Sequence, residues 1–164
     1  MVESLLKMHL LPECLLLVMR VAIGADHGGF ALKEGIKEHL KEKGHHVLDA
    51  GNIRHDPRDD FTDFSHSVAS AIQHYVCDRG IIICNTGAGT CIVANKYPGI
   101  RAAECGCVDD VRHGREQLDM NVMTLGGLKV PSAIANDMVD AFLATRARGG
   151  RHARRREKIE HRHV

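Results

Sequence analysis

The chain has 164 residues, of which 44% are hydrophobic and 26% charged, and its formal net charge is +1. These values are ordinary for a soluble globular protein of one domain, and the net charge predicts no class of partner. The six cysteines show neither a secreted-framework spacing nor a C-x-x-C pair, which argues against a disulfide scaffold and a zinc or thioredoxin-type site. Reduced thiols in the cytosol are the expectation.

The first eighteen residues are expected to be an N-terminal extension outside the fold, and residues 19–164 a single domain. The apolar run Leu15-Leu16-Leu17-Val18 is far shorter than the roughly 20 residues of a membrane span. Glu3 offsets Lys7, and no small-residue cleavage site follows, so a signal peptide is not predicted either. The sequence thus predicts a cytoplasmic protein without a membrane partner.

The predicted elements begin with a short β-branched strand, Arg20–Gly24, which a turn at residues 25–29 follows at once. From Phe30 to Lys43 apolar residues recur at helical spacing, and Gly44 is a plausible C-cap. A second strand is predicted at His46–Asp49.

After a polar loop at residues 52–63, helices and strands continue to alternate. The predicted elements are a helix at 64–76, a strand at 80–84, a helix at 91–96, a strand at 100–104, a helix at 108–118, a strand at 121–125, a helix at 131–145 and a basic C-terminal helix from about 150. This alternation predicts a three-layer α/β/α sandwich with a five-stranded parallel, Rossmann-like sheet.

In open parallel sheets, ligands bind outside the carboxyl ends of the strands. Three polar groups follow predicted strands directly: Asp26-His27, Cys84-Asn85-Thr86 and Glu104-Cys105. We therefore expect the functional site at this edge of the sheet.

Cys84 closes the apolar strand and opens the glycine loop, which we define as residues 85–90. Backbone amides at the start of a helix hold anions and favour a thiolate, so Cys84 is a candidate base or nucleophile. The loop lacks the Gly-Lys-Ser/Thr of a phosphate-binding Walker loop and, with Ile92 in place of the third glycine, the dinucleotide fingerprint. Its residue pattern alone leaves the choice between an oxyanion, a phosphate and a purely structural turn open.

Two further features are weaker on their own. Asp26 could orient the imidazole of His27, a pairing that tunes a histidine near neutral pH. The tail from Gly149 to Arg156 could bind the phosphates of a sugar or of a nucleic acid, or be a solvated basic helix. Nucleic acid is not the expected partner, because no aromatic residues accompany the arginines.

Taken together, several segments resemble the family of B-type ribose-5-phosphate and galactose-6-phosphate isomerases, which are metal-free aldose–ketose isomerases. The resemblance covers nearly everything from Met19 to Lys158. Its pieces are Gly24-Ala25-Asp26-His27-Gly28-Gly29-Phe30, Ile83-Cys84-Asn85-Thr86-Gly87-Ala88-Gly89, Ala94-Asn95-Lys96-Tyr97-Pro98-Gly99-Ile100-Arg101-Ala102, Asn121-Val122 and Gly149-Gly150-Arg151-His152.

The resemblance implies a role for each matching residue and no cofactor or metal. Cys84 would move a proton between C1 and C2 of an open-chain sugar phosphate, Thr86 would assist at the substrate oxygens, and the loop amides would stabilise the enediolate. Substrate contacts are implied for Asp26 and His27, and for the loop residues Asn85, Gly87, Ala88 and Gly89. Arg151 and Arg155 would grip the phosphate in a site shared between two subunits of a homodimer or dimer of dimers.

The chain departs from the family pattern where a ring-opening histidine is usual, because Gln117 stands there. Gln117 is expected to contact the sugar without acting as an acid or base. His113 lies one helical turn earlier, on the same face, and is the candidate substitute. Asn85 follows the cysteine where the family has glycine, and Leu128 stands where an arginine is usual.

These departures keep three functions open. The leading expectation is interconversion of ribose 5-phosphate and ribulose 5-phosphate. The second is the same proton shift on another sugar phosphate, such as galactose 6-phosphate or a tetrose phosphate. The third is a sugar-phosphate-binding paralogue without turnover.

Overall fold

The computed structural model of the protein describes residues 17–161, and strands and helices alternate along this range. The elements are β1 (Arg20–Ala25), α1 (Phe30–Glu42), β2 (His46–Asp49), α2 (Phe61–Gln73), β3 (Arg79–Cys84), α3 (Ala88–Ala94), β4 (Ala102–Glu104), α4 (Val108–Leu118), β5 (Val122–Gly126), α5 (Ser132–Ala144) and α6 (Arg151–Glu160). Nearly all of the predicted N-terminal extension, residues 1–16, lies outside the described range, as do residues 162–164.

The five strands form one parallel sheet in the order β2-β1-β3-β5-β4. β3 is central, and its Ile81 pairs with Ile23 of β1 on one side and Met123 of β5 on the other. Four of the five residues of β3 after Arg79 are isoleucine or cysteine and are buried, as a strand covered on both faces requires. The predicted sandwich with its five-stranded parallel sheet is confirmed.

Each face of the sheet carries its own hydrophobic core. Alternate strand residues point to opposite faces, so Ile81 and Ile83 pack on one side and Ile82 on the other. The first core joins the sheet to α1, α4 and α5, and the second joins it to α2 and α3. α6 lies outside these layers and packs against α4.

Several boundaries differ from the prediction by a few residues. α2 begins at Phe61, three residues before the predicted start, because the Phe61 ring already packs against Gly89 of the opposite helix. α3 begins at Ala88 because Gly87 takes the left-handed conformation, with φ of 84°, and turns the chain into the helix at once. Pairing in β4 begins at Ala102, later than the predicted Ile100.

The strand order places the loops after β1 and β3 side by side. β1 connects to β2 on one side of the sheet, while β3 is followed by strands on the other side, so the chain diverges between β1 and β3. Such a divergence opens a crevice at the carboxyl ends of the strands, here called the carboxyl edge. Asp26 and Cys84 flank this crevice. Among residues 17–161 no helix has the length and apolar character to cross a membrane.

Candidate active site

The Cys84 thiol lies at the end of the central strand β3, with 5% of the residue exposed. Its Sγ accepts a hydrogen bond from the Gly87 amide, with 3.2 Å between N and Sγ. Thr90 Oγ1 lies 3.8 Å from the same sulfur and donates its own hydrogen to the Gly87 carbonyl at 2.8 Å. The Gly87 amide and the Thr90 hydroxyl therefore fix the position of the sulfur at the start of the glycine loop.

Gly87 fixes the shape of the glycine loop for two reasons. Its φ of 84° is one that residues with a side chain rarely adopt. A Cβ on Gly87 would also lie only 3.0 Å from the Leu125 carbonyl carbon and 3.1 Å from Glu104 Cγ. The amide that faces Cys84 is therefore held by a backbone turn pressed against β5.

Three loops meet at the carboxyl edge with almost no space between their backbones. The Gly127 amide donates to the Cys84 carbonyl at 2.7 Å, and the Leu128 amide donates to the Asn85 carbonyl at 3.2 Å. A Cβ on Gly127 would lie 2.3 Å from the Gly28 carbonyl oxygen, and one on Gly28 would lie 2.1 Å from Asn85 Oδ1. These contacts lock the residues after β1, β3 and β5 into one unit, and they place the Asn85 side chain beside Gly28.

Asp26 is the buried carboxyl group of this unit, with 5% of the residue exposed. Its Oδ1 accepts hydrogen bonds from the amides of Gly28 at 3.0 Å and Gly29 at 3.2 Å. Burial raises the pKa of Asp26, while the Gly29 amide and the charge of His27 oppose the rise. Asp26 thus shapes the turn after β1 and carries a proton more readily than an exposed aspartate.

His27 does not pair with Asp26, as the sequence suggested, but with Asp59 from the loop after β2. Asp59 Oδ1 accepts hydrogen bonds from the His27 amide at 2.9 Å and from its Nδ1 at 2.7 Å, and Asp59 Oδ2 accepts one from the Asn52 side-chain amide at 2.7 Å. The bond to Asp59 raises the pKa of His27. Burial opposes ionisation of Asp59, but the bonds from His27 and Asn52 lower its pKa overall.

The remaining predicted loop residues line the open side of the carboxyl edge. Asn85, Thr86 and Ala88 are exposed, and Thr86 Oγ1 accepts a hydrogen bond from the Ala88 amide at 3.4 Å. Gly89 lies against Phe61, whose ring would be 2.8 Å from a Cβ at that position. Thr86 and the loop backbone are therefore within reach of a molecule that enters from solvent above Cys84.

The turn after β5 places the ammonium group of Lys129 near the same edge. Lys129 Nζ lies 2.6 Å from Glu104 Oε1, the carboxylate at the end of β4, and Leu128 is 78% exposed. The side chain of Lys129 is therefore directed at Glu104.

The other four predicted site residues lie on α4 and α6. His113 is exposed, and its Nδ1 donates to the Asp109 carbonyl at 2.9 Å, which leaves Nε2 free. Gln117 is half-buried, and its carbonyl accepts a hydrogen bond from Arg156. Arg151 and Arg155 are exposed on α6. Within residues 17–161, no hydrogen bond or ion pair connects these four side chains to Cys84 or to the glycine loop.

Sequence reasoning missed Asp59 and Thr90. Thr90 stands at the end of the glycine loop, and a hydroxyl one helical turn after Gly87 was a usable signal for a contact with the strand end. Asp59 is 32 residues away from His27 in sequence. Only its position in the loop after β2, which ends at the same edge, pointed to the site.

The fold and this edge define a class: an open parallel α/β enzyme with a thiol and an amide-lined loop at the strand divergence. The sequence model described as Ribose/Galactose Isomerase matches residues 21–159, and the chain belongs to that family. The resemblance found in the sequence is confirmed.

Individual relatives agree with this family. Ribose-5-phosphate isomerase B of Escherichia coli is 40% identical over 140 residues, which cover 85% of this chain and 93% of the relative. D-erythrulose-4-phosphate isomerase of Pectobacterium atrosepticum is 35% identical over 145 residues, 87% of this chain and 93% of the relative. The structure of ribose-5-phosphate isomerase B from Clostridium thermocellum superposes with a TM-score of 0.84 at 45% identity, covering 87% of this chain and 95% of that one. The protein is therefore an isomerase.

Proposed function

We propose that the protein interconverts an aldose phosphate and its ketose through an enediolate, with ribose 5-phosphate and ribulose 5-phosphate as the leading pair. The observation that carries this proposal is the Cys84 thiol, which sits beside an inward-pointing Gly87 amide at the strand divergence. The relative from Escherichia coli, named ribose-5-phosphate isomerase B, supports the choice of the pentose.

The proposed proton transfer uses Cys84 as a thiolate. It removes a proton from the carbon next to the carbonyl of the open-chain sugar, and the electron pair moves to the carbonyl oxygen to give the enediolate. The same proton then returns to the neighbouring carbon, so the reaction has no net proton change. Backbone amides of the glycine loop stabilise the oxyanion, and Thr86 passes the hydroxyl proton between the two sugar oxygens.

Asp26 and His27 hold the sugar on the other side of the crevice in this proposal. Asp59 fixes the His27 ring through Nδ1 and leaves Nε2 directed away from that bond, available to a hydroxyl or phosphate. Asn85 occupies the space beside Gly28 and narrows the entrance above Cys84. Its amide can bond to a sugar hydroxyl, which gives it a role in substrate choice.

In this proposal, Arg151 and Arg155 bind the phosphate of a substrate that lies in the crevice of a neighbouring subunit. Both are exposed on α6, which packs on α4 and not on the carboxyl edge of its own chain. Guanidinium groups pair well with phosphate, and a second copy of the chain would bring them to the crevice. A homodimer, or a dimer of such dimers, is the assembly that this arrangement requires.

A second candidate substrate is a tetrose phosphate, and Gln117 favours it. A carboxamide cannot protonate the ring oxygen of a furanose, so only His113 remains on that face of α4 to open a ring. A four-carbon sugar phosphorylated at O4 has no hydroxyl left to close a furanose and needs no ring-opening acid. The relative named D-erythrulose-4-phosphate isomerase supports this alternative.

A panel of sugar phosphates tests the proposal on wild type, Gln117→His and His113→Ala. If the pentose is the substrate, ribose 5-phosphate is turned over fastest by wild type, and His113→Ala loses pentose activity. If the tetrose is the substrate, erythrose 4-phosphate or erythrulose 4-phosphate is fastest, and both α4 variants leave that rate unchanged. Binding of these compounds without any turnover would overturn the enzyme proposal in favour of a binding paralogue.

A further inference from the structure

A second cavity lies at the opposite end of the sheet from Cys84. It has a volume of about 310 Å³ and opens where the strands begin, here called the amino-edge cavity. Its lining residues come from the first residue of β1 and of β3, from the residues just before β4 and β5, and from the end of α2. Those that carry the argument are Arg20, Tyr75, Asp78, Arg79, Arg101 and Asp119.

Two of the three arginines in this lining are neutralised by carboxylates of the chain. Arg20 forms a two-pronged pair with Asp78, at 2.7 and 3.3 Å. Arg101 pairs with Asp119 at 3.2 Å and with Glu160 at 2.8 Å. These contacts use up the acidic groups that line the cavity.

Arg79 has no such partner among the described residues. Its recorded hydrogen bond runs from Nη1 to the carbonyl of Asp78, the preceding residue, at 2.8 Å. Its Nε is buried and has no acceptor within residues 17–161. Burial, together with the charge of Arg115, lowers the pKa of Arg79, and the charges of Asp119 and Asp78 only partly oppose this shift.

An arrangement of this kind costs stability in the free protein. The buried Nε–H loses its hydration without gaining an acceptor, and partial burial of the guanidinium charge adds to that cost. A bound anion would supply both the acceptor and the counter-charge, and Arg favours oxyanions that can accept two parallel N–H bonds. The charge pattern therefore points to an anion as the missing partner.

Tyr75 gives a second, independent indication. It follows the end of α2 with φ of 58°, in the left-handed position where helices strongly prefer glycine. The amide of Val76 reaches back to the Ala71 carbonyl at 2.9 Å, which completes this type of helix end. A tyrosine is strained in this conformation. Because 84% of Tyr75 is exposed, burial of the side chain offsets little of the strain energy. Its ring stands free at the cavity rim, where it can cover a ligand.

We propose that the amino-edge cavity binds a small molecule that carries a doubly charged oxyanion, a phosphate or a dicarboxylate, with Arg79 as its ion-pair partner and Tyr75 against its body. Arg79 and Cys84 are the first and last residues of β3, so the two sites lie about 17 Å apart along one strand. The site is separate from the isomerase chemistry and does not depend on the proposed substrate.

Nuclear magnetic resonance of the full chain tests the site directly. The probes are inorganic phosphate and malonate, and the readout is the Nε–H signal of Arg79, assigned with Arg79→Lys. Because phosphate can also bind near Cys84, the amides of the glycine loop are followed in the same titration. We expect the Arg79 signal to shift and saturate with at least one probe. The tighter of the two probes at Arg79 assigns the ligand as phosphate or carboxylate. No shift at Arg79 with either probe, while the glycine loop responds, would overturn the proposal.

Three variants accompany the titration. Arg79→Gln is expected to weaken binding of the probe about tenfold or more, while Arg112→Gln, an exposed arginine on α4, leaves it unchanged. Tyr75→Gly removes the strain, so it is expected to raise the melting temperature while weakening binding severalfold. Because this last variant is expected to fold at least as well as wild type, it decides the case if Arg79→Gln does not fold. Unchanged affinity in Tyr75→Gly would contradict the assigned role of the ring.

Discussion

The carboxyl edge and the α4–α6 pair are built in opposite ways, although the proposed reaction needs both. At the carboxyl edge, three loops interlock through glycine contacts and backbone hydrogen bonds, and Cys84, Asp26 and the glycine loop are already assembled within one chain. On α4 and α6, the functional candidates are three exposed side chains and the half-buried Gln117, all outside the interlocked loops. The proposed proton transfer therefore uses groups assembled within one chain, whereas the proposed phosphate binding and ring opening use groups that a second chain would have to bring to them.

The largest expected effect is at the carboxyl edge. Cys84→Ala removes the proposed base, so turnover of the sugar phosphate falls by about 10²–10⁴-fold, the usual contribution of a general base. Cys91→Ala is the matched control, because the hydrogen bonds of this thiol on α3 within residues 17–161 go to the Ala102 carbonyl and the Asn95 amide, away from the proposed site. Steady-state kinetics on both variants checks the prediction. Near-normal turnover by Cys84→Ala would sink the proposed mechanism.

A complementation test shows whether the active site is complete within one chain or shared between two chains. Replacing Arg151 and Arg155 together by alanine is expected to raise KM for the phosphate substrate, at about 1.5–3 kcal/mol for each charged hydrogen bond lost. If the site is shared, refolding this variant with Cys84→Ala creates mixed dimers with one intact site, and roughly a quarter of wild-type activity returns.

The mixing experiment has a clear opposite outcome. If each chain used its own arginines, every site in the mixture would carry a defect and activity would stay at the level of the separate variants. Arg154→Ala serves as the control, since Arg154 is an exposed arginine of the same helix. Loss of complementation together with normal dimer formation would place the phosphate contacts within one subunit.

A pair of glycine variants measures how much the interlocked loops contribute. Gly87 and Gly99 both have left-handed φ, 84° and 78°, but only Gly87 is pressed against neighbouring backbone. Gly99→Ala is expected to cost about 1–2 kcal/mol of unfolding free energy from strain alone. Gly87→Ala adds a steric clash of about 1–3 kcal/mol. Equal losses in urea unfolding would contradict the tight packing described for the glycine loop.

The smallest expected effect concerns the His27–Asp59 pair. Because folding raises the pKa of His27, the stability that protonated His27 contributes is fully present below its ordinary pKa of about 6.5. This stability is lost as pH rises through the pKa of the folded protein. The lowered pKa of Asp59 means that its contribution is complete above about 3.9 and is lost as pH falls through the folded value. The pair therefore stabilises the protein most between about pH 4 and pH 6.5.

Melting temperatures of wild type and Asp59→Asn across pH check this window. The difference between the two proteins should be largest inside it and shrink on both sides, and the pKa of His27 should fall in the variant. Asp109→Asn, on the exposed face of α4, is the control for the removal of one carboxylate charge. A difference that does not vary with pH would mean that Asp59 acts through hydrogen bonding alone.

The fold was predictable from sequence because each strand and helix has a recognisable local sequence pattern. β-branched runs such as Gly80–Cys84 end in turn residues, and the helices carry regular apolar stripes. The residues at strand ends were predictable for the same reason, since parallel strands bring their carboxyl ends to one edge. Asp26, Cys84 and Thr86 come together by topology alone.

Contacts between distant segments were not predictable from the same patterns. Nothing in the sequence near His27 indicates that Asp59, and not Asp26, bonds its ring. The early start of α2 depends on the contact of Phe61 with Gly89, which only the packed structure reveals. Arg79 similarly resembles any charged residue at a strand start, and its missing partner becomes visible only when its surroundings are known.

Phe61 and Asp59 are two residues apart in sequence but contact opposite walls of the crevice. The Phe61 ring packs against Gly89, and the Asp59 carboxylate is hydrogen-bonded to the His27 ring. Between Asn52, which also bonds Asp59, and this anchor, most of the tip at residues 53–58 is exposed, and Ile53 is 91% exposed. The segment is therefore held at both ends, while most of its tip is exposed to solvent. It is the natural place to attach a fluorophore that reports on substrate entry, because His55 in this tip lies edge-on to the His27 ring, with 6.2 Å between the ring centroids.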